Sequence, residues 1–135
     1  MSIIVSSQKD KLDIDFVYQF LTNSYWAKDR TKEAVRISIE NSMCFGIYIG
    51  DQQIGFARVV TDYVIFAYLM DVFISKEYRG KGYSKQLMKT IFEHKKLKPV
   101  KKWMLATSDA HRLYQQFDFE PLENSSIFMQ KSVIK

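Results

Sequence analysis

The stretch Ile74–His94, ISKEYRGKGYSKQLMKTIFEH, constrains this chain more than any other. It follows YVIFAYLMDVFIS, a run rich in β-branched and aromatic residues that reads as a strand. Beyond it, Tyr83, Leu87, Met88, Ile91 and Phe92 recur at helical spacing and form one apolar face. Between the two sit Gly80 and Gly82, flanking Lys81. Glycine inside a helix costs about 1 kcal/mol relative to alanine, so a pair at a helix start needs a reason. One reason is that the backbone must come close to something a side chain would obstruct. Strand, glycine turn, helix is the arrangement whose free N–H groups hold an anion. Two familiar versions fail. The P-loop needs G-x-x-x-x-G-K-[ST], whereas Gly80 and Gly82 stand two apart. The dinucleotide pattern G-x-G-x-x-G fails because Lys85 occupies the place of its third glycine.

The remaining chain arranges itself around this unit. SIIVS predicts a short first strand, and Phe16, Val17, Phe20 and Leu21 predict a helix within residues 13–24. Thr31 is a competent N-cap for a second helix, with Glu33 in its first turn. Met43–Ile49 and Gln53–Val60 read as strands joined at Gly50-Asp51, and Thr61-Asp62 turns into the strand before the glycines. Pro99 ends the glycine-led helix, KWMLAT reads as a fifth strand, and SDAHRLYQQF reads as a capped helix. FEPLENSSIFMQKSV closes the chain as one or two further strands. The order β-α-α-β-β-β-α-β-α-β predicts an α/β fold, one domain over residues 1–135, with a mixed and mostly antiparallel central sheet flanked by helices.

Composition bounds the function. The formal net charge of +5 suits nucleic acid, a membrane surface or a phosphorylated small molecule without choosing between them. Cys44 is the single cysteine, which excludes an internal disulfide framework and any multi-cysteine metal site; no metal is expected. The N-terminus is too polar for a secretory signal and no apolar run approaches the roughly 20 residues a bilayer requires, so the expectation is a cytoplasmic protein with no membrane partner.

The hexapeptide Arg79-Gly80-Lys81-Gly82-Tyr83-Ser84 resembles the pyrophosphate-binding turn of the GNAT superfamily, the acetyl-CoA-dependent N-acyltransferases, with Arg79 and Gly82 matching and Ser84 departing at the last position. DVFISKEYRGKG resembles the family's fourth strand running into that turn. DAHRLYQQFDF resembles its C-terminal motif: Ala110 and Tyr114 match, Asp118 replaces a glycine, and Thr107 stands where many members carry a cofactor-contacting Asn. Asp tolerates left-handed backbone better than most residues, so the helix stop is retained.

The resemblance implies an N-acetyltransferase that moves an acetyl group from acetyl-CoA to a primary amine by direct attack in a ternary complex. It implies that Arg79, Gly80, Lys81, Gly82, Tyr83 and Ser84 hold the pyrophosphate, that Val72, Phe73 and Ile74 lend backbone groups to the pantetheine arm, and that Ala110 opens the cofactor-facing helix. It makes Tyr114 the proton donor to sulfur, although Tyr114 also shares a face with Leu113 and Phe117 as a core residue would. Asp71 interrupts an apolar strand; the alternatives are a base for the amine, directly or through water, and a structural ion pair with an arginine such as Arg58. Tyr25 and Trp26 lie where the family builds its acceptor site, and aromatic packing against the sheet is the competing account. His111 reads as an exposed helix histidine and Cys44 as core filling. The acceptor is a small-molecule or peptide amine, and a homodimer is compatible with the family. A non-catalytic acyl-CoA-binding module on the same fold is the alternative. The basic cluster His94–Lys102 motivates a nucleic-acid reading only weakly, since it carries no groove-reading motif.

Overall fold

The computed structural model describes residues 2–133. Two side-chain caps start the first two helices. Asp13 accepts from the Phe16 N–H to open α1 (Ile14–Thr22), and Thr31 accepts from the Ala34 N–H to open α2 (Lys32–Glu40). The strands are β1 (Ile3–Ser6), β2 (Met43–Ile49), β3 (Gln52–Thr61), β4 (Phe66–Ile74) and β5 (Lys102–Met104). Helix α3 (Tyr83–Glu93) follows the glycine turn, and α4 (His111–Gln115) follows β5. The sheet runs β1-β2-β3-β4-β5, antiparallel through β4 and parallel between β4 and β5. It is therefore mixed, as the element order predicted.

Each face of the sheet carries its own core. On one side Phe45, Ile47, Ala57, Val59 and Leu69 pack with Leu87, Met88 and Ile91 of α3. On the other, Cys44, Phe56 and Phe73 pack with Val17 and Leu21 of α1 and Val35 and Ile39 of α2. Phe20 stacks flat on Phe73 with centroids 3.8 Å apart, fixing α1 against β4. Cys44 lies wholly inside this second core, and burial pushes its thiol up to about 12, so it is inert filling.

One irregularity in β4 decides where the chemistry sits. Leu69 and Phe73 are four residues apart and would share a face in an unbroken pleat, yet they belong to opposite cores. The register explains this: Phe56 faces Phe73 while Arg58 faces Met70, so Ala57 stands opposite both Asp71 and Val72. This is a β-bulge, and Asp71 holds it with a left-handed φ of +56°. The bulge turns Asp71 towards the α1–α2 side of the sheet.

The closing strands predicted from FEPLENSSIFMQKSV do not form: among the described residues, Asp118–Val133 contains only a single 3₁₀ turn at Ser125–Ile127. Pro121 and the Asn124-Ser125-Ser126 run favour turns, and Phe128 places its ring 5.6 Å from Lys102 Nζ instead of joining a ladder. Strand β5 is also shorter than KWMLAT, and that shortness opens the site described next.

Candidate active site

Strands β4 and β5 pair only over Phe66–Tyr68 and Lys102–Met104. Beyond that they diverge, and the gap between Leu69–Val72 and Leu105–Ala110 is a cavity of about 530 Å³. Tyr25, Trp26 and Arg30 wall it from the α1–α2 loop, and Tyr114 of α4 also lines it. Tyr25 Oη and Ser108 Oγ lie 2.7 Å apart, tying the α1–α2 loop to the β5–α4 loop. A second cavity of about 320 Å³, lined by His111, Tyr114 and Phe119, meets the first at Leu105–Thr107 and Tyr114. The splay is the geometric consequence of a parallel pair that stops early, leaving one edge of β4 past Tyr68 without a strand partner among the described residues.

The glycine turn lies at the far end of β4. Gly80 and Gly82 have φ of +78° and +82°, and Gly82 caps α3 without a side-chain hydrogen bond. A Cβ on either glycine would meet nothing within 4 Å, so the open space beside them is free for a ligand, and the conformation itself requires glycine. The first N–H to enter the helical pattern is that of Gln86, which donates to Gly82. Among the described residues, the N–H groups from Gly80 to Lys85 have no backbone acceptor. These donors edge a hollow of about 310 Å³ with Tyr78, Arg79, Leu113 and Gln116. Arg79 is less free than its sequence suggests: its Nε donates to the Ile74 carbonyl at 2.8 Å and its guanidinium lies 5.9 Å from the Phe20 ring centroid. Its remaining N–H groups add positive charge beside the turn.

Asp71 is 4% exposed and accepts three hydrogen bonds: from Trp26 Nε1 at 3.0 Å, Arg30 Nη1 at 2.6 Å and Arg58 Nε at 2.9 Å. Burial pushes its carboxyl up, but the hydrogen bond and charge of Arg30, joined by Arg58, outweigh burial and hold it below the ordinary value. The ion pair with Arg58, one of the two readings of Asp71, is present. Arg30 is a partner that sequence reading missed, because nothing in YWAKDR announces which of its charges turns inward.

Tyr114 is 8% exposed and packs edge-on against Phe119 with centroids 5.8 Å apart. Burial, with a contribution from Asp109, pushes its phenol up to about 12, so it remains a hydrogen-bond donor throughout the neutral range. Ala110 opens α4, where the Thr107 Oγ1 accepts from its N–H at 3.0 Å. Thr107 thus spends its hydroxyl on the helix start. Asp118 has φ of +70°, the left-handed geometry expected where a glycine would otherwise stop the helix. His111 is exposed and lines the second cavity, while Val72 lines the first and Phe73 points into the core beneath α1.

Residues 40–121, more than half of the chain, match the family model described as an acetyltransferase (GNAT) domain. The chain belongs to the GNAT acetyltransferase family. It is 40% identical to a GNAT-family protein of Xanthomonas campestris pv. campestris, covering 98% of this chain and 94% of that one with a TM-score of 0.95. An uncharacterised ycf52-like N-acetyltransferase of Prochlorococcus marinus is 32% identical, over 92% of this chain and 73% of its own length. A GNAT acetyltransferase of Elizabethkingia anophelis, solved with acetyl-CoA bound, shares the fold at a TM-score of 0.65 and 18% identity, over 85% of this chain and 74% of that one. Among the described residues, no helix of this GNAT chain is long and apolar enough to cross a membrane.

Proposed function

We propose that this GNAT domain transfers an acetyl group from acetyl-CoA to a primary amine, both substrates being bound together in the gap between β4 and β5. The observation that carries the reading is the continuity of anion turn, unpaired strand edge and splayed cavity along a single strand. The residues fit the cosubstrate: unpaired N–H groups from Gly80 to Lys85, with Arg79 and Lys81 beside them, suit a pyrophosphate, and the free edge of β4 near Val72 suits an amide-bearing arm. The acetyl-CoA-bound relative of the same fold supports the same choice.

Acetyl-CoA supplies a thioester whose carbonyl carbon bonds to the amine nitrogen while its bond to sulfur breaks and the amine proton is lost. In this reading Tyr114, which lines the cavity and keeps its phenolic proton, donates to the departing sulfur. Asp71 serves here as an anchor and not as the base. A carboxylate occupied by three donors and held below its ordinary value has little affinity for a further proton. It pins Trp26 and Arg30, and through them the acceptor wall, to the bulge of β4. The amine then loses its proton to water in the cavity, which predicts that kcat/KM climbs with pH towards the acceptor's own pKa, with no carboxylate limb.

The test is acetyl-CoA turnover over an amine panel, with Tyr114→Phe alongside. The variant is expected to lose about 100-fold in kcat, at the lower end of general acid–base contributions. An unchanged kcat across pH would remove Tyr114 from its role, and tight CoA binding with no turnover of any amine would favour a non-catalytic module.

A further inference from the structure

Two arginines meet Asp71, and they are used very differently. Arg58 is spent: Nε donates to Asp71, Nη1 to Ser42 Oγ at 3.0 Å, and Nη2 contacts Met70 Sδ at 3.1 Å, with only 10% of its side chain exposed. Arg30 is not spent. Its Nη1 donates to Asp71, and among the described residues its guanidinium makes no other hydrogen bond. A quarter of the side chain is exposed, and it lines the same cavity as Tyr114. Nε and Nη2, the fork that a carboxylate accepts in parallel, have no protein partner among the described residues.

The charge of this cluster selects the ligand. Two guanidiniums against one carboxylate leave one net positive charge beneath the cavity. The other ionisable carboxyl lining it, Asp109, is exposed. One surplus positive charge matches a monoanion better than a dianionic phosphate. Tyr25, Trp26 and Tyr68 line the same cavity and present ring surface beside the pair.

We propose that the acceptor amine also carries a carboxylate, and that Arg30 is the residue that docks it. This rests on the acetyl-transfer reading above and narrows its substrate class to amino acids or short peptides. Arg30 thereby has two tasks, holding Asp71 with one nitrogen and the acceptor with the others, which lysine cannot duplicate because an ammonium lacks the planar fork.

The experiment compares kcat/KM for phenylalanine, phenylalanine amide and phenethylamine, with glycylphenylalanine as a fourth arm. The acid is expected to exceed its amide and its decarboxylated amine by about 100-fold, the scale of a bidentate charge-assisted hydrogen-bond pair. The dipeptide arm tells whether the carboxylate belongs one carbon or one residue from the amine. Arg30→Gln should bring the acid-to-amide ratio close to one, and Arg30→Lys should leave it intermediate. Equal rates for acid and amide, turnover confined to amines without a carboxylate, or a ratio that survives Arg30→Gln would each overturn the assignment while leaving acetyl transfer intact. Direct binding keeps the question open to refutation if no amine turns over. N-acetylphenylalanine titrated into the CoA-loaded protein should bind saturably, and not to Arg30→Gln; no binding to the unaltered protein overturns the proposal.

Discussion

The two ends of β4 are built on opposite principles. At its C-terminal end the glycine turn offers main-chain N–H groups that need no particular side chain, only backbone at φ near +80°. Near its middle, the bulge at Asp71 gathers Trp26 and Arg30 from the α1–α2 loop and Arg58 from β3 into one polar knot around a buried carboxylate. Among the described residues the turn's donors have no backbone acceptor and edge a hollow, whereas the knot is internally satisfied apart from Arg30. Under the proposed function, spare donors suit a ligand group that does not vary, the cosubstrate's pyrophosphate. A site made of interlocked side chains can be respecified by changing one partner.

The contrast breaks first at the knot. Asp71→Asn should cost about 4 kcal/mol of stability, because it leaves two guanidiniums in or near the core without their counter-charge. Urea unfolding at pH 7 measures it; a loss under 1 kcal/mol would mean the knot is not structural. The pH dependence has a definite sign. The folded carboxyl sits below its ordinary value, so its contribution is fully present above the unfolded pKa near 4 and is lost as pH falls through the lower folded value. The unaltered protein should therefore weaken steeply below about pH 4, and the Asn variant should lack that component of the slope.

The turn should behave in the converse way. Gly82→Val places a β-branched residue at φ +82° and a side chain in the space beside the free donors. The backbone strain costs about 2 kcal/mol, while CoA affinity by calorimetry should fall at least tenfold, about 1.4 kcal/mol in binding. Unaltered affinity would show that the anion does not rest on these amides. The smallest effect belongs to the exposed tie between the two loops. Tyr25→Phe removes the bond to Ser108 Oγ and should raise acceptor KM about threefold, the scale of one net hydrogen bond. CoA affinity should stay the same, and if it moves with KM the two regions are coupled through the loops.

Local pattern made the turn readable in advance. Strand run, paired glycines and apolar helix face are contiguous, so Gly80–Ser84 could be located without any tertiary information. Tyr114 and Asp118 were legible for the same reason, each lying in a short motif at fixed spacing. Asp71 was visible as a charge in an apolar strand, with an ion pair to an arginine such as Arg58 as one of its two readings. The closing strands of residues 119–133 were misread, since apolar residues there suggested a ladder that Pro121 and the Asn-Ser-Ser run prevent.

What the sequence determined by itself is the elements up to α4 and the glycine turn, because helical period, strand composition and glycine's backbone freedom act over a few neighbouring residues. The tertiary structure alone decided that β5 stops after three residues, that β4 bulges at Asp71, and that Arg30, among the described residues, meets Asp71 through Nη1 alone. Those outcomes depend on register between strands and on which of many exposed charges meets a buried partner. Both are set by packing between segments far apart in the chain.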